Sequence, residues 1–157
     1  MLIDPYLSDH LARKYQGKKF PHVRMMAAPC PPEQLRGVSA VCATHRHSDH
    51  MDPGALPVVA EHNPECVFVV PAAEREHALA LGLPAARVRA IGAGSRLDPC
   101  DDVAVSAIPS AHESIERNAR GEHRFLGYVL RLGPLVAYHS GDCVPYHGLC
   151  EALAPFQ

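Results

Sequence analysis

The residues best suited to chemistry stand together in Thr44-His45-Arg46-His47-Ser48-Asp49-His50. Within six residues, His45, His47, Asp49 and His50 gather three imidazoles and a carboxylate, the donors that borderline divalent cations such as Zn²⁺ accept. Side chains alternate along an extended segment, so His45, His47 and Asp49 can share one face while His50 turns toward a second ion. Histidine is abundant here, 11 in 157 residues, yet H-x-H-x-D-H would arise by chance in only roughly three in a thousand such chains. A solvated polar loop is therefore a poor explanation. What is left of that alternative is a degenerate site that binds no metal.

Elements must hold this run in place. Val38 to Ala43 is a short apolar segment that reads as a buried strand and delivers the chain into the histidines. Upstream, Met1 to Asp4 reads as a strand end, Pro5 to Asp9 as a turn, and the stretch to Gly37 as a long loop broken by Lys18-Lys19 and Pro29-Cys30-Pro31-Pro32. Downstream, Asp52 as N-cap and Pro53 at the first helical position open a helix to about His62. A second buried strand covers Cys66 to Val70, and a helix from Ala72 to Leu81 is closed by Gly82. Val88 to Ile91 and Asp102 to Ile108 read as strands, Phe125 to Leu132 and Leu135 to His139 as a hairpin across Gly133-Pro134, and Tyr146 to Leu153 as a last helix. Strands and helices interleave first and antiparallel strands follow. The pattern is that of one α/β or α+β domain with mixed sheets, covering residues 1–157.

Composition narrows the partners. An apolar fraction of 47% with 20% charged residues describes an ordinary globular chain able to bury a core. A formal net charge of −2 and a sequence pI near 6.6 give no broad electrostatic footprint for nucleic acid. No apolar stretch approaches the roughly 20 residues of a membrane span. Six cysteines lack C-x-x-C spacing, so reduced thiols in a cytoplasmic protein are expected.

The run Thr44 to His50 after an apolar strand resembles the T-H-x-H-x-D-H signature of the metallo-β-lactamase superfamily. The resemblance implies an αββα sandwich and two divalent ions, Zn²⁺ ahead of Mn²⁺. His45, His47 and a later histidine would hold the first ion, and Asp49 and His50 the second. His112, in Pro109-Ser110-Ala111-His112-Glu113, matches the later histidine, and Asp142, in Tyr138-His139-Ser140-Gly141-Asp142, matches the carboxylate that bridges both ions. Alone, each would pass for a loop residue. Their order, each after a strand, is what carries the match. Asp49 would also orient the attacking water and accept its proton, and Asp4 and Thr44 are candidates to steady the ligand imidazoles. Such a pair of ions lowers the pKa of a shared water and polarises the bond it attacks.

Ile3-Asp4-Pro5-Tyr6-Leu7-Ser8-Asp9, Arg24, Pro31-Pro32, Asp52-Pro53 and Gly127-Tyr128 extend the resemblance to the ascorbate-6-phosphate lactonase-like branch. That branch implies opening of a small ester or lactone such as a phosphorylated sugar-acid lactone. Arg24 is then the candidate for anion contact, and His139 for assistance beside Asp142. A phosphodiesterase or nuclease of the same superfamily, and an inactive metal-binding fragment, are the competing readings. Superfamily members carry a further histidine ligand after the bridging aspartate. His147 stands too near Asp142 to match it, so the sequence leads us to expect a domain incomplete at both ends, with exposed sheet edges prone to self-association.

Overall fold

Strand alternation decides which side chain enters which layer. In β2 (Ala40–Cys42) and β3 (Val67–Pro71), Val41, Phe68 and Val70 pack with Leu56, Val59 and Ala78, while Cys42 and Val69 pack with Val105, Leu126, Tyr128 and Leu130. Both faces are buried, which is why these strands read as unbroken apolar runs instead of alternating ones. Full burial of a side chain such as Phe68 or Leu126 contributes about 1.5–3 kcal/mol.

The computed structural model describes residues 1–156. It joins β1 (Leu2–Ile3), β2, β3 and β4 (Val88–Ile91) in that order into a parallel sheet. β5 (Arg96–Cys100), β6 (Val103–Pro109), β7 (Leu126–Leu132) and β8 (Leu135–His139) form an antiparallel sheet, again in chain order. Parallel and antiparallel pairing are thus divided between two sheets and do not mix within either. α2 (Leu56–His62) and α3 (Arg75–Ala80) cover the outer face of the first sheet. α4 (Leu149–Leu153) lies on the second, where Ala152 and Phe156 share a cleft with Ser106 and Ile108. The layers run αββα, as expected.

Several boundaries differ from the sequence reading, each for a physical reason. α2 begins at Leu56, not Pro53, and Asp52 does not cap it with its side chain. The buried Asp52 carboxylate instead accepts from Leu7 N, Ser8 N, Ser8 Oγ and Gly54 N at 2.6 to 3.1 Å, pinning the Pro5 to Asp9 turn. The helix expected over 72–81 is a 3₁₀ turn, Ala72–Glu74, followed by α3. The last helix starts at Leu149, three residues after the expected Tyr146. Two elements were hidden from sequence: α1 (His10–Lys14), only five residues long inside the expected loop, and β5, whose Arg-Leu-Asp-Pro-Cys carries charge and proline. An edge strand tolerates both, and β5 pairs only with β6, across a register shift between Leu97 and Cys100.

The sheets meet where the reactive residues emerge. β2 runs out into Thr44 to His50, β6 into Ser110 to His112, and β8 into Ser140 to Asp142. The Tyr128 hydroxyl, fully buried, donates to the Ala43 carbonyl at 2.8 Å, and Leu126 N donates to the Thr44 carbonyl at 3.1 Å. The Ser110 hydroxyl donates to the Ser140 carbonyl at 3.1 Å, and Val144 N to the Ala111 carbonyl at 2.8 Å. Three loops from two sheets are thereby fixed side by side.

Candidate metal centre

Proton bookkeeping around Asp4 fixes how the imidazoles face. The Thr44 hydroxyl lies 2.7 Å from Asp4 Oδ2, and because a carboxylate only accepts, the single hydroxyl proton is spent there. His45 Nδ1, 3.0 Å from the same hydroxyl oxygen, must then be the donor, which leaves His45 Nε2 with a bare electron pair. His50 Nδ1, 2.8 Å from Asp4 Oδ2, is likewise a donor, so in the neutral ring its Nε2 carries a free pair. Thr44 N donates to Asp4 Oδ1 at 2.8 Å and His139 Nε2 reaches Oδ2 at 3.1 Å. Asp4 adopts this position with a left-handed backbone, φ 45°, a conformation an aspartate tolerates but at a cost.

The freed atoms converge on Asp142. His50 Nε2 lies 3.1 Å from Asp142 Oδ1, while His45 Nε2 and His112 Nε2 lie 3.9 and 3.7 Å from Oδ2. Donor atoms of His45, His47 and Asp142 fall within 4.8 Å of one another, the one group of three histidine or acidic donors drawn so close among the described residues. Asp49 Oδ2 approaches His50 Nε2 at 3.8 Å. His45 Nε2 is buried with no hydrogen-bond partner. Such an orphaned pair is costly unless a cation meets it, and imidazoles with carboxylates are the donors a divalent ion takes. The residues fit a metal.

Electrostatics agree with the geometry. Burial, and then the nearby His50 and His47, hold His45 down to about 3, so it is a neutral donor at ordinary pH. Burial and His112 likewise lower His47. Burial alone would lower His50, but its hydrogen bond to Asp4 and the charges of Asp4, Asp142 and Asp49 raise it. An environment that favours a proton on His50 favours any cation placed between these groups. Burial alone would raise Asp4, but hydrogen bonds from His139, His50 and Thr44 hold it well below the ordinary carboxylate value.

The structure brings together His45, His47, Asp49, His50, His112 and Asp142 on adjoining loops. The two residues expected to meet substrate are engaged elsewhere. Arg24 stacks on Tyr6, 4.0 Å from the ring centroid, and donates to the Tyr6 and Ser8 carbonyls at 3.3 and 2.7 Å, so it buttresses the Pro5 to Asp9 turn. His139 shares Asp4 with His50. Phe125, missed by the sequence reading, packs its ring 4.9 Å from His45, 5.7 Å from His47 and 5.2 Å from His112, an apolar wall behind three imidazoles. A phenylalanine heading a strand gives no sign of this in sequence.

Gly141 sets how close Asp142 comes. At φ 57°, an added Cβ would stand 2.9 Å from both Cβ and Oγ1 of Thr44. Gly141→Ala is expected to cost about 1–3 kcal/mol through backbone strain and to move Asp142 off the imidazoles. Thermal unfolding and metal titration of the variant check both effects.

An αββα sandwich with histidines and carboxylates gathered on loops between its two sheets defines the metallo-β-lactamase class of proteins. The chain belongs to the Beta-lactamase superfamily domain family, whose model matches residues 1–157. It is similar to Protein Rv0786c of Mycobacterium tuberculosis, with 35% identity over 83 residues, 53% of this chain and 36% of that protein. The chain thus spans about a third of the length of that curated relative. Among solved structures it is similar to isothiocyanate hydrolase from Delia radicum gut bacteria, with a TM-score of 0.68 and 23% identity over 98% of this chain and 60% of that one. It is also similar to CmlA, a diiron β-hydroxylase from Streptomyces venezuelae, with a TM-score of 0.62 and 21% identity over 98% of this chain and 28% of that one. These two likenesses concern the fold.

Proposed function

We propose that the protein is a metal-dependent hydrolase that opens a small ester or lactone, a phosphorylated sugar-acid lactone being the substrate the reading favours. One observation carries it: the bare, buried Nε2 of His45 beside His47 and Asp142, with Asp49 on the same loop. Divalent cations held there would lower the pKa of a water and polarise the substrate carbonyl. His45, His47, His112 and Asp142 would hold one ion, and Asp49, His50 and Asp142 another. Asp4 and Thr44 keep His45 and His50 in the tautomer that presents Nε2. Phe125 keeps water from the back of three imidazoles.

In the reaction, the water oxygen bonds to the acyl carbon and the ring C–O bond breaks. Asp49 Oδ2 takes the proton from water and returns it to the departing alkoxide, giving a hydroxy acid. The six free thiols suit a cytoplasmic setting. A panel of aliphatic lactones, sugar-acid lactones and phosphodiesters, assayed with and without a chelator, tests the proposal. Lactone opening abolished by the chelator and restored by Zn²⁺ or Mn²⁺ is expected. Cleavage of phosphodiesters alone, or lactone opening indifferent to the chelator, would overturn it.

A further inference from the structure

The metal cluster borders a cavity of about 670 Å³, which His47 and Asp49 help to line. Its charged lining is unbalanced. Lys14 comes from α1 and Arg46 from between His45 and His47, and His10 and His77 add two imidazoles, against the single carboxylate of Asp49 among the described residues. Arg46 also borders a smaller cavity of about 260 Å³ that His45 and His112 line together with Glu74 and Glu116. Both cations are exposed, and among the described residues neither has an ion-pair partner. The other arginine at the small cavity, Arg124, is already committed to the buried Glu74 at 3.0 Å. Leu11 and Leu81 supply apolar wall to the same cavity.

From this arrangement we infer that Lys14 and Arg46 hold the anionic group of an acidic substrate, a phosphomonoester or a carboxylate, while its ester carbon lies beside His47 and Asp49. The inference rests on the hydrolase reading above and moves the anion contact from Arg24, whose Nη2 donates to two carbonyls and whose Nε faces Asp9 at 3.6 Å, to two cations without an ion-pair partner among the described residues. Arg46 can meet two anion oxygens with its planar fork, and Lys14 supplies a point charge from α1. A cavity of this volume suits a small molecule.

The test has two arms. In the first, metal-loaded wild type, Lys14→Gln, Arg46→Gln and the double variant are assayed on a matched pair of lactones, one neutral and one carrying a phosphomonoester. Wild type is expected to prefer the phosphorylated lactone. Each single variant should raise its KM about tenfold, the loss of one charge-assisted contact, and the double variant should bring the preference toward unity. Lys19→Gln, which removes an exposed cation lying over Phe20 and outside the cavity, should leave the preference unchanged. In the second arm, calorimetry follows binding of glucose 6-phosphate to the same proteins, without turnover. Saturable binding that weakens by the same factors supports the inference even if neither lactone is opened, a result that would sink only the hydrolase reading. No preference in wild type, or preference and binding that Lys14→Gln and Arg46→Gln leave intact, would overturn the inference.

Discussion

Asp142→Ala is expected to lower hydrolysis about a thousandfold, the equivalent of the several kcal/mol a positioned cation supplies to a transition state. Its two oxygens face His50, His45 and His112 at 3.1 to 3.9 Å. With Asp142 gone, His45 Nε2 keeps its buried electron pair, but the carboxylate that would share a cation with it is lost. The side chain is exposed, so the variant should fold with an unchanged unfolding midpoint once both proteins are stripped of metal. Steady-state kinetics together with metal titration read the effect. Activity within tenfold of wild type would mean that Asp142 is no ligand.

Asp4→Ala is expected to have the largest effect on stability, about 3–5 kcal/mol, the cost of breaking one side of a buried charged network. The Asp4 side chain is 7% exposed and accepts from Thr44 N, Thr44 Oγ1, His50 Nδ1 and His139 Nε2. Alanine leaves these donors without a partner and frees His45 and His50 to change tautomer. The pH dependence has a definite sign. Asp4 sits below its ordinary value in the folded state, so its contribution is fully present above that value and is lost as pH falls through the depressed one. His50 sits above its ordinary value, so its share is present in acid and lost as pH rises through the raised one. The pair is strongest between those two limits. Denaturant unfolding of metal-stripped wild type and Asp4→Ala should show the gap narrowing as pH falls below the ordinary carboxylate value. A gap that stays constant would contradict this assignment.

The part of the site legible in sequence was the part written locally. Thr44 to His50 reads as a donor cluster because polar ligands crowd directly behind an apolar strand, and His112 and Asp142 gain meaning from standing behind strands of their own. Asp4 and Thr44 were readable as candidates to steady the imidazoles, because ligand histidines need acceptors for their second nitrogen. Assigning Asp4 to His50 and His139 needed the fold, since those contacts span 46 and 135 positions. Arg24 shows the opposite failure. Its planar fork suits an anion in sequence, yet in the folded chain its Nη2 donates to the Tyr6 and Ser8 carbonyls and its Nε faces the Asp9 carboxylate at 3.6 Å. Lys14 stayed out of view because α1 is too short for its periodicity to register. Phe125 stayed out because its contact is with imidazoles on other loops. Central parallel strands, buried on both faces, were the easiest elements to read, and the polar edge strand β5 the hardest.

The central claim is that His45, His47 and Asp142 form a metal cage, and metal counting by mass spectrometry tests it most directly. Protein purified without added metal, or titrated with Zn²⁺ after stripping, is expected to retain at least one divalent ion per chain. His45→Ala, folded by circular dichroism, is expected to retain far less. Wild type that binds well below one ion per chain even after titration, or His45→Ala that binds as much as wild type, would contradict the claim.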